Sequence, residues 1–576
     1  MRSCYGLLAI LSLAALAACS RTTPIPHLRK QGTATQLIVD GKPFLAMAGE
    51  LGNNTATSIE YMKQVWPHLV DSKLNTVLAG VSWAQVEPQE GKFDFRVLDG
   101  LIQGARARNL RLVLLWFASW KNGLSGYPPD WVKKDFERFP RAQIVDGTLP
   151  TMGEAPRTLV EGSRTIELLS PLSDANRDAD ARAFAALMRH VKEVDGSRHT
   201  VIMIQVENEV GMQGDTRDRS PLANQAFAGP VPKELMDYLA QHKDILIPEL
   251  HQVWEAAGFK TSGTWEEVFG KGRPTDEIFM AWYFARYIDK VVEAGKAEYP
   301  IPMYVNCPQE GFGRRPKGGQ SGGPMPDAMD VWRAGGPRID LLGTDIYDPD
   351  FVTMCARYTQ SGNPLFIAET RGIPPNSLGN RVLYAFGRHD AIGFSPMGIE
   401  RPTIPDIELT SAYDVIAQLA PLIVEHQGDG TMSAVIVSSD APPQKVPVGN
   451  YTLTVAFRKP PRILGSPEQQ GPFPNSAAIF IATGPDEYYA AGNGVSVTFT
   501  PNTPGPPLAG LATVEEGVFM NGRWVAGRKL SGDDDGQGEN LVLPRLYVLP
   551  SPLGWTGNLG GPASKGILHF TLYRYH

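Results

Sequence analysis

Leu110-Arg111-Leu112-Val113-Leu114-Leu115-Trp116-Phe117 is a run of eight residues with only one polar side chain. A strand that faces solvent on one side alternates apolar and polar positions; one that does not alternate is covered on both faces, as in parallel sheets flanked by helices. Similar short apolar runs recur on either side. They centre near residues 45, 77, 114, 204, 304, 342, 367 and 393, and amphipathic stretches or long inserts separate them. Residues 97–108 and 278–296 read as helices, and Phe184, Leu187, Met188 and Val191 form one apolar stripe at helical spacing. Thr57-Ser58-Ile59-Glu60 has the form of a capping box opening a helix with Met62, Val65 and Leu69 inward. Eight βα units over residues 37–430 predict a (β/α)8 barrel. The competing doubly wound sheet calls for a glycine-rich phosphate turn after an early strand, which the sequence lacks.

Beyond residue 430 the pattern changes to short strand-like runs separated by Gly, Pro and Asn, without a convincing helix. Residues 431–576 therefore read as an all-β, sandwich-like domain. At the other end, Arg2 precedes an apolar run over residues 7–18, too short to span a bilayer stably, which reads as an export signal. Residues 19–36 then read as a polar tether. With 54 basic and 61 acidic side chains among 576 residues, the net charge of −7 gives no basic face for nucleic acid. Cys307 and Cys355 are not spaced as metal ligands and read as buried free thiols. The histidines show no metal spacing, and Asp533-Asp534-Asp535-Gly536 reads as a solvated turn before a calcium loop.

In a barrel of this kind the working residues stand where strands end at their carboxyl side. Two apolar runs deliver a carboxylate there: Ile204-Gln205-Val206-Glu207-Asn208-Glu209 from the fourth and Leu365-Phe366-Ile367-Ala368-Glu369 from the seventh. Two carboxyl groups projecting into one cleft can cleave a glycosidic bond, one protonating the leaving oxygen while the other attacks the anomeric carbon or activates water. Glu207, two positions before Glu209, is expected on the same strand face and to hydrogen-bond within the barrel mouth. Trp83 and Tyr347 are candidate stacking surfaces for a sugar ring, and Glu50 and Asn306 candidate hydroxyl partners.

Gln205-Val206-Glu207-Asn208-Glu209-Val210-Gly211 resembles a segment of the family 35 β-galactosidases within the clan of retaining (β/α)8 glycosidases, with family 42 related. Leu74-Asn75-Thr76, Trp83, Glu87-Pro88 and Gly91-Lys92-Phe93-Asp94-Phe95 are similar to a second segment, and Gly49-Glu50-Leu51 and Tyr127-Pro128-Pro129-Asp130-Trp131 to two more. The resemblance implies Glu209 as acid/base, Glu369 as nucleophile and Asn208 as the contact to the sugar 2-hydroxyl. It also implies an exo-acting β-galactosidase that uses neither metal nor organic cofactor, with a carbohydrate as its partner. The first-strand Arg and second-strand Tyr of that family have no clear counterpart here, which leaves open a clan member with another sugar preference or an endo-glycanase. A non-catalytic carbohydrate-binding protein is the reading from a different class. Leu16-Ala17-Ala18-Cys19 resembles a bacterial lipobox, implying a lipid anchor on Cys19 in the cell envelope, with Ser20 favouring the outer membrane.

Overall fold

The computed structural model describes residues 23–145, 158–160, 163–307, 320–401, 407–458, 475–492, 494–532, 538, 540–543 and 566–576. Cys19, the export signal and the Asp533–Gly536 turn lie outside the described residues. No helix among the described residues is long and apolar enough to cross a membrane.

Eight parallel strands form the barrel: β1 (Ala46–Glu50), β2 (Thr76–Ser82), β3 (Arg111–Lys121), β4 (Val201–Asn208), β5 (Met303–Val305), β6 (Leu341–Leu342 continuing as Thr344–Ile346), β7 (Phe366–Thr370) and β8 (Gly393–Phe394). Hydrogen-bonded neighbours run in chain order, and β8 returns to pair with β1. The two halves of β6 close the ring, the first pairing with β5 and the second with β7. Gly343 separates the halves, and a Cβ there would meet the Tyr304 ring at 2.8 Å. Only glycine lets β6 pass this close to β5.

The apolar runs are continuous because both strand faces are buried. Val113, Leu115, Phe117, Ile202, Tyr304, Phe366 and Ala368 belong to one buried cluster, and Leu112, Leu114, Trp116 and Ile204 pack with the surrounding helices in another. Leu37 and Val39 join the first cluster from a three-stranded antiparallel meander over residues 27–44. Part of the expected tether is thus folded: His27–Gln31 and Ala34–Val39 are strands, held by the apolar residues at alternate positions. The helix after β1 spans Ile59–Asp71 and buries Met62, Val65, Trp66 and Leu69. Its cap is Ser58, whose hydroxyl accepts from the Tyr61 amide, so Thr57 and Glu60 do not form the expected box.

The last helix beside the barrel ends at His426, and the first strand of the C-terminal sheets begins at Met432. A six-stranded antiparallel sheet packs against a four-stranded one, with Val435, Phe480, Tyr488 and Phe570 between them. The outer face of the larger sheet rests on the barrel. Ile479 lies over Gly387 of the helix Leu378–His389, and the Asn380 amide donates to the Asn475 carbonyl.

Candidate active site

The carboxyl ends of β1, β3, β4, β5, β6 and β7 deliver Glu50, Lys121, Asn208 with Glu209, Asn306, Asp345 with Tyr347, and Glu369 to one place. Glu209, Asp345 and Glu369 each offer a carboxylate oxygen within 4.8 Å of the others. Such a trio could hold a cation, but the Lys121 ammonium already stands 3.9 Å from Glu369 and supplies a positive charge.

Glu369 is gripped from three sides. The Tyr347 hydroxyl donates to one oxygen at 2.9 Å, and the Asn208 and Asn306 amides donate to the other at 3.2 and 3.5 Å. Arg371, two residues beyond Glu369, places its guanidinium over the Tyr347 ring at 5.5 Å instead. Asn306 ties three strands together: it accepts from the Glu209 amide at 2.9 Å and donates to Asp345 at 2.7 Å.

Burial first, and then the charge of Glu369, push the Glu209 carboxyl up to about 7. A carboxyl that keeps its proton near neutrality is suited to donate it. Asp345 and the fully buried Glu50 are also raised well above the ordinary range, each mainly by burial and then by Glu369. Neither Glu50 oxygen has a hydrogen-bond partner among the described residues. Buried polar atoms are nearly always paired, so these two stand out as exceptions in the site.

The sequence candidates divide clearly. Glu209, Glu369, Asn208, Glu50, Asn306 and Tyr347 all reach the cluster. Trp83 does not. It is fully buried, donates from its indole to Glu87 at 2.8 Å and meets Trp131 edge to face, so it packs the core beside β2 and shows no face to a ligand. Glu207 does not share a face with Glu209 either. Both residues have positive φ, 62° and 43°, and the β3–β4 register shifts between Val206 and Asn208, which breaks strand alternation. The Glu207 carboxylate instead accepts from the Ser119 and Trp120 amides at 3.1 and 2.7 Å. It shares a buried network with Asp180, whose oxygens take the Trp116 indole and Ser119 hydroxyl.

Two members of the site were not foreseen, Lys121 and Asp345. Both sit just past apolar runs, which is the same signal that singled out the glutamates. A lysine and an aspartate at strand ends are common as solubilising groups, and their chemistry shows only once the neighbours are in place.

Residues 55–270 match the glycoside hydrolase family 42 model, described as "Beta-galactosidase". Over these residues the barrel is similar to that family. The match falls on family 42, which the sequence reading placed beside family 35, and not on family 35 itself. Residues 409–542 match a second model, described as "Domain of unknown function (DUF5597)", which takes in most of the last barrel-side helix as well as sandwich strands. A β-galactosidase of Xanthomonas manihotis is 29% identical over 212 residues, 36% of this chain and 30% of that protein. Among solved structures, the β-galactosidase of Bacillus circulans sp. alkalophilus is similar at 15% identity and a TM-score of 0.43. That of Rahnella sp. R3 is similar at 14% and 0.41, and each similarity covers 66% of this chain and 57% of the other. The chain therefore spans under a third of the curated relative and somewhat over half of these structures.

Proposed function

We propose that the protein is a retaining, exo-acting β-galactosidase that removes terminal galactose from oligosaccharide or polysaccharide side chains. The observation that carries this reading is the convergence of Glu209 and Glu369, with carboxylate oxygens no more than 4.8 Å apart. Retaining glycosidases hold their two carboxyl groups about 5–5.5 Å apart, and inverting ones leave roughly 6.5–9.5 Å for a water between them.

Glu369 attacks the anomeric carbon and forms a glycosyl ester as the bond to the leaving oxygen breaks. Glu209 gives its proton to that oxygen. Its carboxylate then takes a proton from the incoming water, which attacks the same carbon and frees Glu369. Asn208 reaches the sugar 2-hydroxyl as that contact strengthens in the transition state. Glu50 and Asn306 serve as hydroxyl partners and Tyr347 as a wall of the sugar site. The burial of Glu50, Asn208, Asn306 and Glu369, with Glu209 and Tyr347 the more accessible members, suits a pocket for a chain end more than an open groove. The Leu16-Ala17-Ala18-Cys19 segment supports export and lipid anchoring at Cys19 in the bacterial envelope, which metabolic labelling with a clickable fatty acid would test by its loss in Cys19→Ala.

A panel of nitrophenyl β-glycosides tests the activity. Cleavage of the galactoside, lost in both Glu209→Gln and Glu369→Gln, is the expected result. Activity on a different β-sugar would overturn the galactose assignment, and wild-type turnover by either variant would overturn the mechanism.

A further inference from the structure

The Asn208 side chain lies fully buried between two opposite charges. The Lys121 ammonium donates to its Oδ1 at 2.7 Å, and its Nδ2 donates to Glu369 Oε1 at 3.2 Å. An ammonium can only donate and a carboxylate can only accept. Turning the amide over would set its NH2 against the ammonium and its oxygen against the carboxylate, unfavourable at both ends.

We propose that Lys121 is a positioning residue that fixes the Asn208 amide with its nitrogen toward the nucleophile and the sugar 2-hydroxyl. The inference rests on the glycosidase reading above and adds to it a residue that the comparisons do not single out. Its need is greatest in the second half of the reaction. Once Glu369 is esterified, its oxygen loses its negative charge and grips Nδ2 less strongly, so Lys121 remains as the one charged anchor of the amide. Before that step Lys121 is firmly charged. It is itself buried, and burial pulls an ammonium down, but the carboxylates of Glu369, Glu50, Glu209 and Asp345 outweigh that and raise it above the ordinary lysine value. The Phe117 ring, 4.9 Å from the ammonium, supplies a further favourable face, and the Tyr127 phenol is a further titratable group near it.

The test uses the full chain and two substrates, an aryl β-galactoside and its 2-deoxy counterpart. Lys121→Met removes the cation, and Lys121→Gln keeps a neutral N–H donor for Asn208. A misplaced contact at a reacting centre costs on the order of 100-fold. Lys121→Met is expected to lower kcat/KM by about that factor on the galactoside and by less than about tenfold on the 2-deoxy substrate, where the amide has no hydroxyl to meet. Lys121→Gln should recover part of the loss on the galactoside alone. Equal losses on both substrates would overturn the proposal, since a merely structural role does not distinguish them. If Lys121→Met does not fold, Lys121→Gln carries the same comparison, with equal losses again the contradicting result. Wild-type protein inert toward every nitrophenyl β-glycoside would instead refute the glycosidase reading. If another β-sugar is the one cleaved, the comparison is made with that sugar and its 2-deoxy form.

Discussion

Glu209→Gln should stabilise the protein, and by an amount that depends on pH. The Glu209 carboxyl ionises near 7 in the folded chain against 4.5 for an ordinary glutamate, raised by burial and by the neighbouring Glu369. A group whose folded pKa lies above its unfolded value favours the fold fully below the unfolded value, and that contribution is lost as pH rises through the folded one. Between pH 4.5 and 7 the folded state must therefore hold a proton that the unfolded chain has released. At 1.36 kcal/mol for each pH unit of that interval, the penalty accumulates to about 3 kcal/mol and levels off above pH 7. Glutamine has the same shape and does not titrate. The stability gained by the variant should be near zero at pH 4.5, rise through pH 6, and reach about 3 kcal/mol at pH 7.5. Urea unfolding of both proteins at four pH values, followed by tryptophan fluorescence, measures the difference; groups remote from the site cancel in it, while Asp345, Glu50 and Lys121, which sense the Glu209 charge, add their own changes. A difference that is flat with pH would refute the argument, because it would mean that Glu209 ionises in the folded chain as it does in water.

Tyr347→Phe removes the hydroxyl that donates to Glu369 at 2.9 Å. A hydrogen bond to a charged group is worth about 1.5–3 kcal/mol, so the variant should lose up to about that much stability in urea unfolding and, with Glu369 less well held, at least tenfold in kcat/KM. Glu207→Ala leaves the buried Ser119 and Trp120 amides without acceptors and should cost about 2–4 kcal/mol of stability, with Glu207→Gln costing less, both read by urea unfolding. Trp83→Ala should cost about 3–5 kcal/mol as a core cavity, yet leave KM for an aryl galactoside unchanged in the folded protein. A raised KM there would return Trp83 to the sugar site.

The barrel was legible because buried parallel strands leave an unmistakable mark. All eight apolar centres, from Phe44–Ala48 to Ile392–Ser395, correspond to barrel strands. Of the sandwich strands, those with strong apolar alternation, such as Tyr451–Phe457 and Val495–Pro501, could be read. Gln444–Val448, with Pro447 inside, and Arg523–Leu530, an edge strand with mostly exposed side chains, could not, because their pairing is decided by neighbours rather than by their own pattern. The two glutamates were legible for a similar reason, since each directly follows an apolar run. What failed was inference from strand alternation and from aromatic type. Positive φ at Glu207 and Glu209 is invisible in the sequence and turns Glu207 away from the site. Trp83 stands at a strand end like a sugar-stacking residue, but Glu87 four residues on captures its indole and the short helix turns it into the core. Lys121 also closes an apolar run, but its significance lies in the four acidic side chains that other strands bring around it.

One measurement reaches the heart of the account: the configuration of the sugar at the instant of its release. Proton NMR of an aryl β-galactoside digest, recorded before mutarotation, should show the β-anomer first, as two displacements at a single carbon require. An α-anomer appearing first would mean that water attacks directly. The spacing of Glu209 and Glu369 would then not be the working geometry.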